Sequence, residues 1–267
     1  MNYQECIRSK LKCSLGTLAR ENAGRTVSSI AHPTELLERN FVNIANFEKD
    51  LPLPAEHPLA GRENLIDELR ECGRLFHSRG WSVGTSSNYS VVLGNDPVEL
   101  IVTASGMDKG RLERPDFVLV GADGAPAVVG QPKSSAETML HVVLAELADV
   151  GSILHTHSPW GTLLSDHFFE RGNIEISGYE MLKGLEGIRT HEHTEQIPIF
   201  ENTQDIPSLA EKVRVRLQDA SQPPIHGFLI RNHGLYTWGK DVFCARRHIE
   251  IFEFLFEVTY RKMMMGK

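Results

Sequence analysis

His155 and His157, in the segment LHTHSP, are the first residues whose spacing could do chemistry. In an extended strand, residues i and i+2 point to the same face, so the two imidazoles converge ~6–7 Å apart along the chain. That bite suits a single Zn²⁺, which takes imidazole nitrogen at ~2.0–2.1 Å. Ser158 and Pro159 follow at once, so the pair lies at a strand end, where connecting segments gather functional groups. A third imidazole would leave one position open, the pattern of a catalytic rather than a structural zinc. His233, in RNHGLYTWG, precedes a glycine between two apolar runs and is a candidate for that place. His191 and His193 form a second pair, but in the polar segment THEHTEQ, which reads as a loop. His141 and His226 show no partner in the sequence.

Two carboxylates stand out beside these imidazoles. Glu180, in GYEMLKG, lies between Gly178 and Gly184, and by itself would be a solvated glutamate at a helix start. Glu137 follows Ser134 by three residues, the spacing of a capping box. Either could serve as acid/base near a metal, where burial and the cation move a carboxyl pKa in opposite directions. Residues 85–88, 103–106 and 133–135 are short polar segments rich in Ser and Thr. Hydroxyls, backbone N–H groups and a helix N-terminus can bind phosphate without a Walker sequence. Singly each segment is a turn or cap; together they suggest a small phosphorylated molecule beside a metal.

The elements that must position these groups follow from periodicity. Leu65, Leu69, Cys72 and Phe76 recur at helical spacing, with Gly80 as a stop. Strands are expected over 90–93, 100–103, 117–120, 152–157, 225–230 and 235–238, with Gly234 as a turn. Leu140, Val143, Leu144 and Leu147 form one helical face; a last helix from about Asp241 carries Phe252, Leu255, Phe256 and Thr259. Strands and helices in this mixture predict an α/β class of three layers. Three prolines in LPLPAEHP, residues 51–58, read as a linker. They divide the chain into a poorly ordered N-terminal extension and linker, 1–58, and a catalytic domain, 59–267.

Composition bounds the function classes. A net charge of −7 leaves no field to draw phosphates over a wide area, which argues against nucleic acid and membrane surfaces as partners. With 41% hydrophobic and 24% charged residues the chain can bury a core. No apolar run approaches the ~20 residues of a membrane span. Cys6, Cys13, Cys72 and Cys244 are scattered without a CxxC pair, which reads as reduced thiols. With no apolar signal segment at the N-terminus, a cytoplasmic location is expected.

The ordered set SSNYS, TASGMDKGRL, SSAETMLH, LHTHSPWGTLLS, GYEMLKGLEG, PIFENTQD and IRNHGLYTWGKD resembles the class II aldolase/adducin family. The match runs from about residue 63 to residue 260, and GYEMLKG and NHGLYTWG point to its dehydratase branch. The resemblance implies a central, mostly antiparallel sheet flanked by helices, assembled as a homotetramer with sites between subunits. It implies one Zn²⁺ per subunit on His155, His157 and His233, and gives Glu180 the acid/base role of the dehydratases. Glu137, with His141 four residues on, matches the glutamate that has this role in the family's sugar-phosphate aldolases. The phosphate ligands carry over to Ser87, Asn88, Ser105, Gly106 and Ser135. Two positions depart from the pattern: Ser87 replaces the usual Gly before Asn, and Ala136 replaces the second Ser before the glutamate. The activity implied is loss of water from 5-methylthioribulose 1-phosphate, a small phosphorylated ketose of methionine salvage. An aldolase cleaving a fuculose- or rhamnulose-type phosphate would share the same zinc-bound carbonyl. A non-catalytic scaffold like the adducin head would lack the zinc histidines, all three of which are present.

Overall fold

The computed structural model describes residues 51–266. Residues 1–50, most of the expected extension, and with them Cys6 and Cys13, lie outside the described residues. At the start of the described chain, Leu53 and Leu59 are buried and the Leu53 N–H donates to Glu63 Oε1 at 3.1 Å. The proline-rich stretch is therefore packed on the domain rather than passing it by.

Helix α1, Glu63–Ser78, buries Ile66, Leu69, Cys72 and Phe76 on one face. It ends where Gly80 takes a left-handed φ of 75°, a conformation glycine reaches without a Cβ clash. Strands β1 (Asn88–Asn95), β2 (Val98–Thr103) and β3 (Phe117–Gly121) follow as an antiparallel meander. Helix α2 is Thr138–Ala145, β4 is Ser152–Thr156, and α3 is Pro159–His167. Then come β5 (Asn173–Ser177), β6 (Thr194–Phe200), α4 (Ile206–Gln218), β7 (Gly227–Ile230), β8 (Gly234–Gly239) and α5 (Val242–Met264). The strands form one eight-stranded sheet in the order β3-β2-β1-β4-β8-β7-β6-β5. Only the β6–β7 pairing is parallel.

Because side chains alternate across a strand, the sheet separates two apolar cores. On one face Val91, Ile101, Leu154 and Leu235 pack with α1, α3 and α5, through residues such as Phe76, Leu164, Phe252 and Phe256. On the other, Leu100, Val118, Ile153 and Phe228 pack with α2 and α4, through Leu140, Leu144, Leu209 and Val213. These are the three layers expected. Strands β5 and β6 and helices α3 and α4 were not foreseen. The segment holding His191 and His193 is a loop up to residue 193, after which β6 begins.

Two local expectations are corrected. Ser134 and Glu137 form no capping box: the Ser134 hydroxyl donates to Gly124 O at 3.2 Å, and Glu137 stands at the N-cap of α2 without capping it. Hydrogen bonds and imidazoles on the sheet hold its carboxylate instead. Gly234 is the first residue of β8, not a turn; a Cβ there would lie 2.0 Å from Thr156 O, so glycine is what lets β4 and β8 close. The left-handed turn residue is Asn232, φ 53°.

Candidate metal centre

β4 and β8 are antiparallel neighbours, with His155 opposite Tyr236 and Thr156 opposite Leu235. His155 points to the α2 face and is fully buried. Its Nδ1 donates to Leu235 O at 2.9 Å, which fixes the tautomer and leaves a lone pair on Nε2. Tyr236 stacks on its ring, centroids 3.9 Å apart and planes 14° from parallel. His157 lies just past the strand end, where its N–H donates to Trp81 O at 2.7 Å. His233 arrives from the β7–β8 turn, its N–H donating to Ile230 O.

The three Nε2 atoms converge. His157 Nε2 lies 2.7 Å and His233 Nε2 3.4 Å from His155 Nε2. Glu137 closes the group, with Oε1 3.0 Å from His233 Nε2 and Oε2 3.5 Å from His155 Nε2. All four donor atoms lie within 4.8 Å of one another, the one such group among the described residues. Lone pairs of neutral imidazoles cannot face each other this closely without a proton or a cation between them. Tetrahedral bonds of ~2.0–2.1 Å would set donors about 3.3 Å apart, so these residues fit one small divalent ion. Burial first, then the neighbouring His157, holds His155 well below its ordinary pKa; burial and His233 bring His157 down to about 4. Neutral rings are the state that ligates metal.

Burial alone would raise the Glu137 carboxyl, but the imidazoles of His155 and His233 and a hydrogen bond from Asn88 outweigh it. The group is held well below the usual carboxylate range. Asn88 Nδ2 donates to Glu137 Oε2 at 2.7 Å and to Ser135 Oγ at 3.2 Å, and Tyr236 OH donates to the same Oε2 at 2.9 Å. Asn88 is itself oriented. His141 Nε2 donates to its Oδ1, while Ser90 Oγ donates to His141 Nδ1 at 2.7 Å. His141 thus has partners that the sequence did not reveal. So has His226, whose Nδ1 meets buried Glu195 at 3.0 Å.

The three polar segments meet beside the cluster. Residues 85–88 join 133–135 through Asn88 and Ser135, and residues 103–106 join them through an Ala104–Ser134 bridge and Ser105 N–H to Lys133 O, 2.9 Å. Ser87 and Gly106 take left-handed φ angles of 72° and 77°. Lys109, unforeseen, is buried against residues 85–88, donating to Thr85 O at 3.4 Å, and to Met107 O, just past residues 103–106, at 2.8 Å. Burial lowers its pKa to about 8.

Glu180 does not join this group. It begins a 3₁₀ turn, Glu180–Gly184, and is largely exposed, with Lys183 Nζ at 2.6 Å and His191 Nδ1 at 3.3 Å. What the sequence missed was Tyr236, Lys109 and the partners of His141. Tyr236 had a signal, since alternation from Gly234 puts it on one face of a strand that starts beside His233.

A family model described as the class II aldolase and adducin N-terminal domain matches residues 67–260. A methylthioribulose-1-phosphate dehydratase of Marinobacter nauticus is 46% identical over 198 residues, 74% of this chain and 93% of that protein. One of Sorangium cellulosum is 44% identical over 74% of this chain and 92% of its own length. In three dimensions the chain resembles the L-fuculose-1-phosphate aldolase of Thermus thermophilus, with a TM-score of 0.59 at 19% identity, over 77% of this chain and 99% of that one. That likeness is one of fold.

Proposed function

The chain belongs to the class II aldolase and adducin family, and from that premise we propose that it is a hydro-lyase converting 5-methylthioribulose 1-phosphate to 2,3-diketo-5-methylthiopentyl 1-phosphate. The 46% identity to a dehydratase over 93% of that protein's length carries the choice of reaction. The convergence of three Nε2 atoms and Glu137 supports a metal-dependent one. The reading extends to one Zn²⁺ per subunit, a homotetramer, a cytoplasmic location and a place in methionine salvage. Among the described residues no helix is long and apolar enough to cross a membrane.

His155, His157 and His233 would hold the ion, which when bound polarises the substrate ketone as a Lewis acid. The chain's own groups then do the rest. The Asn88, Ser105, Gly106 and Ser135 segments, with Ser87, cradle the phosphate through hydroxyls and backbone N–H groups, with the buried Lys109 nearby. A carboxylate takes the proton from C3, and a proton is returned to the C4 hydroxyl as it leaves as water. The enol that results tautomerises to the diketone. Glu180 makes these transfers in the proposed enzyme. Its exposed place, away from the imidazoles of its own chain, suits service at a neighbouring subunit's site. Glu137, ionised and clamped by Asn88 and Tyr236, is the supporting carboxylate.

One observation favours a second reading. Glu137 stands among the imidazoles while Glu180 does not, and the former is the position that an aldolase of this family would use. A direct product assay separates the two. Metal-loaded protein is incubated with 5-methylthioribulose 1-phosphate and the substrate mass is followed, with a chelated control. Loss of one water, abolished by chelation, is the expected result; fragments from carbon–carbon cleavage would establish the aldolase. An unchanged substrate, with metal confirmed bound, would overturn the substrate assignment while the metal site stands.

A further inference from the structure

Glu253 is an acid in the middle of an apolar stretch of α5, between Phe252 and Phe254. It is 1% exposed. Thr156 Oγ1 donates to its Oε1 at 2.9 Å, while its Oε2 has no hydrogen-bond partner among the described residues. Burial, only partly offset by Ser158 and Thr156, raises its pKa to about 7. A leucine would fill this space without the cost of desolvating a carboxyl. Thr156 is the last residue of β4 and stands between His155 and His157. Its side chain leaves the sheet on the face opposite the imidazoles, so whatever holds it sets the pitch at which the two rings emerge. The backbone is already pinned on both flanks, by His157 N–H to Trp81 O and by the close approach of Gly234 to Thr156 O. The hydroxyl is the remaining free handle, and Glu253 grips it.

We infer that Glu253 is a positioning residue for the metal centre, holding His155 and His157 at their ligating spacing through the Thr156 hydroxyl. The inference rests on the metal-binding reading above. Partners hydrogen-bonded directly to metal ligands are worth about tenfold to a hundredfold in affinity when removed. Glu253 acts one residue further back, through Thr156, so its effect belongs at the low end of that range.

Metal-stripped full-length protein, wild type and the variants Glu253→Leu, Glu253→Gln and Thr156→Val, is titrated with Co²⁺. Affinity and the visible absorption of the bound ion are read, together with the melting temperature without metal. Glu253→Gln keeps the acceptor and should bind within about threefold of wild type with the same spectrum. Glu253→Leu should melt no lower than wild type yet bind Co²⁺ at least about tenfold more weakly with an altered spectrum. Thr156→Val should show the same loss, and Glu253→Leu combined with Thr156→Val no further loss. Wild-type affinity and spectrum in Glu253→Leu, or in Thr156→Val should the leucine variant fail to fold, would overturn the positioning role while leaving the metal site intact. Failure of the wild type itself to bind Co²⁺ would overturn the metal reading and this inference with it.

Discussion

Glu137 and Glu180, the two carboxylates proposed for the chemistry, differ in setting: one is clamped at the imidazole cluster and the other is paired on the surface. Glu137 accepts from Asn88 and Tyr236 at the imidazole cluster, so it is a good ligand or electrostatic partner and a reluctant base. Among the described residues Glu180 pairs with exposed Lys183 and His191, which lower its pKa but leave it open to solvent. Glu180→Gln is expected to keep its metal and lose at least about 10² in turnover. Glu137→Gln is expected to lose metal affinity as well, because a neutral amide replaces the charge that faces the imidazoles. Metal content by elemental analysis and kcat measured on the same samples check both, and full turnover in Glu180→Gln would move the proton transfers to Glu137. His155 and His157 were legible because their spacing is local: i and i+2 on a strand share a face. His233, 78 residues from His155, was only a candidate until the family resemblance pointed to it. The place of Glu137 was not. Its Ser134 spacing spoke for a cap, whereas the groups that capture it, Asn88 and Tyr236, are 49 and 99 residues away. No short pattern carries such a contact.

At the scale of elements, α5 holds the site from behind. Glu253 grips the end of β4, His248 Nε2 accepts from Glu186 N–H at 3.0 Å, and Ile251 packs against Gly184 in the turn that carries Glu180. One helix thus places both the imidazole strand and the acid turn. A Cβ on Gly184 would fall 2.5 Å from Ile251 Cδ1. Gly184→Ala should therefore cost about 1–3 kcal/mol of stability by overpacking and lower turnover by shifting Glu180. Its metal affinity should not change, and Ile251→Ala in the same chain should restore the turn. Urea unfolding and kcat on the single and double variants test this; an unaffected single variant would mean that the turn moves freely on α5. Helix α5 was legible from its 3.6-residue apolar period. Strand β6 was hidden, because it opens Thr-Glu-Gln and contains Pro198. Its Glu195 is nonetheless buried, since His226 and His193 pair with it. Helix α3 carried its signal, Ser158 as N-cap with Pro159 at the first position. The same two residues also suit the end of a strand, and the strand reading took them.

Across the whole molecule, buried titratable groups pull stability in opposite directions with pH. Burial lowers His141 and His248 to about 4. Between there and 6.5 the unfolded chain holds protons that the folded protein refuses, so each of these groups costs stability as the pH falls. Glu253, raised to about 7 by burial, does the reverse. From 7 down toward 4.5 the folded protein binds a proton that the unfolded chain does not, and stability rises as the pH falls. One group shifted in this way contributes a slope of about 1.4 kcal/mol per pH unit. Glu253→Gln removes the opposing slope and leaves the histidines. Metal-free protein, with chelator present, is unfolded in urea at several pH values between 5 and 6.5. The variant should lose stability with falling pH more steeply than wild type, by about 1.4 kcal/mol per unit. His155 and His157 add their own acid sensitivity to both proteins and cancel in the difference. Parallel slopes would mean that Glu253 is ionised in the folded protein, and the carboxyl behind the imidazoles would then add a negative charge to the site rather than a neutral grip on Thr156.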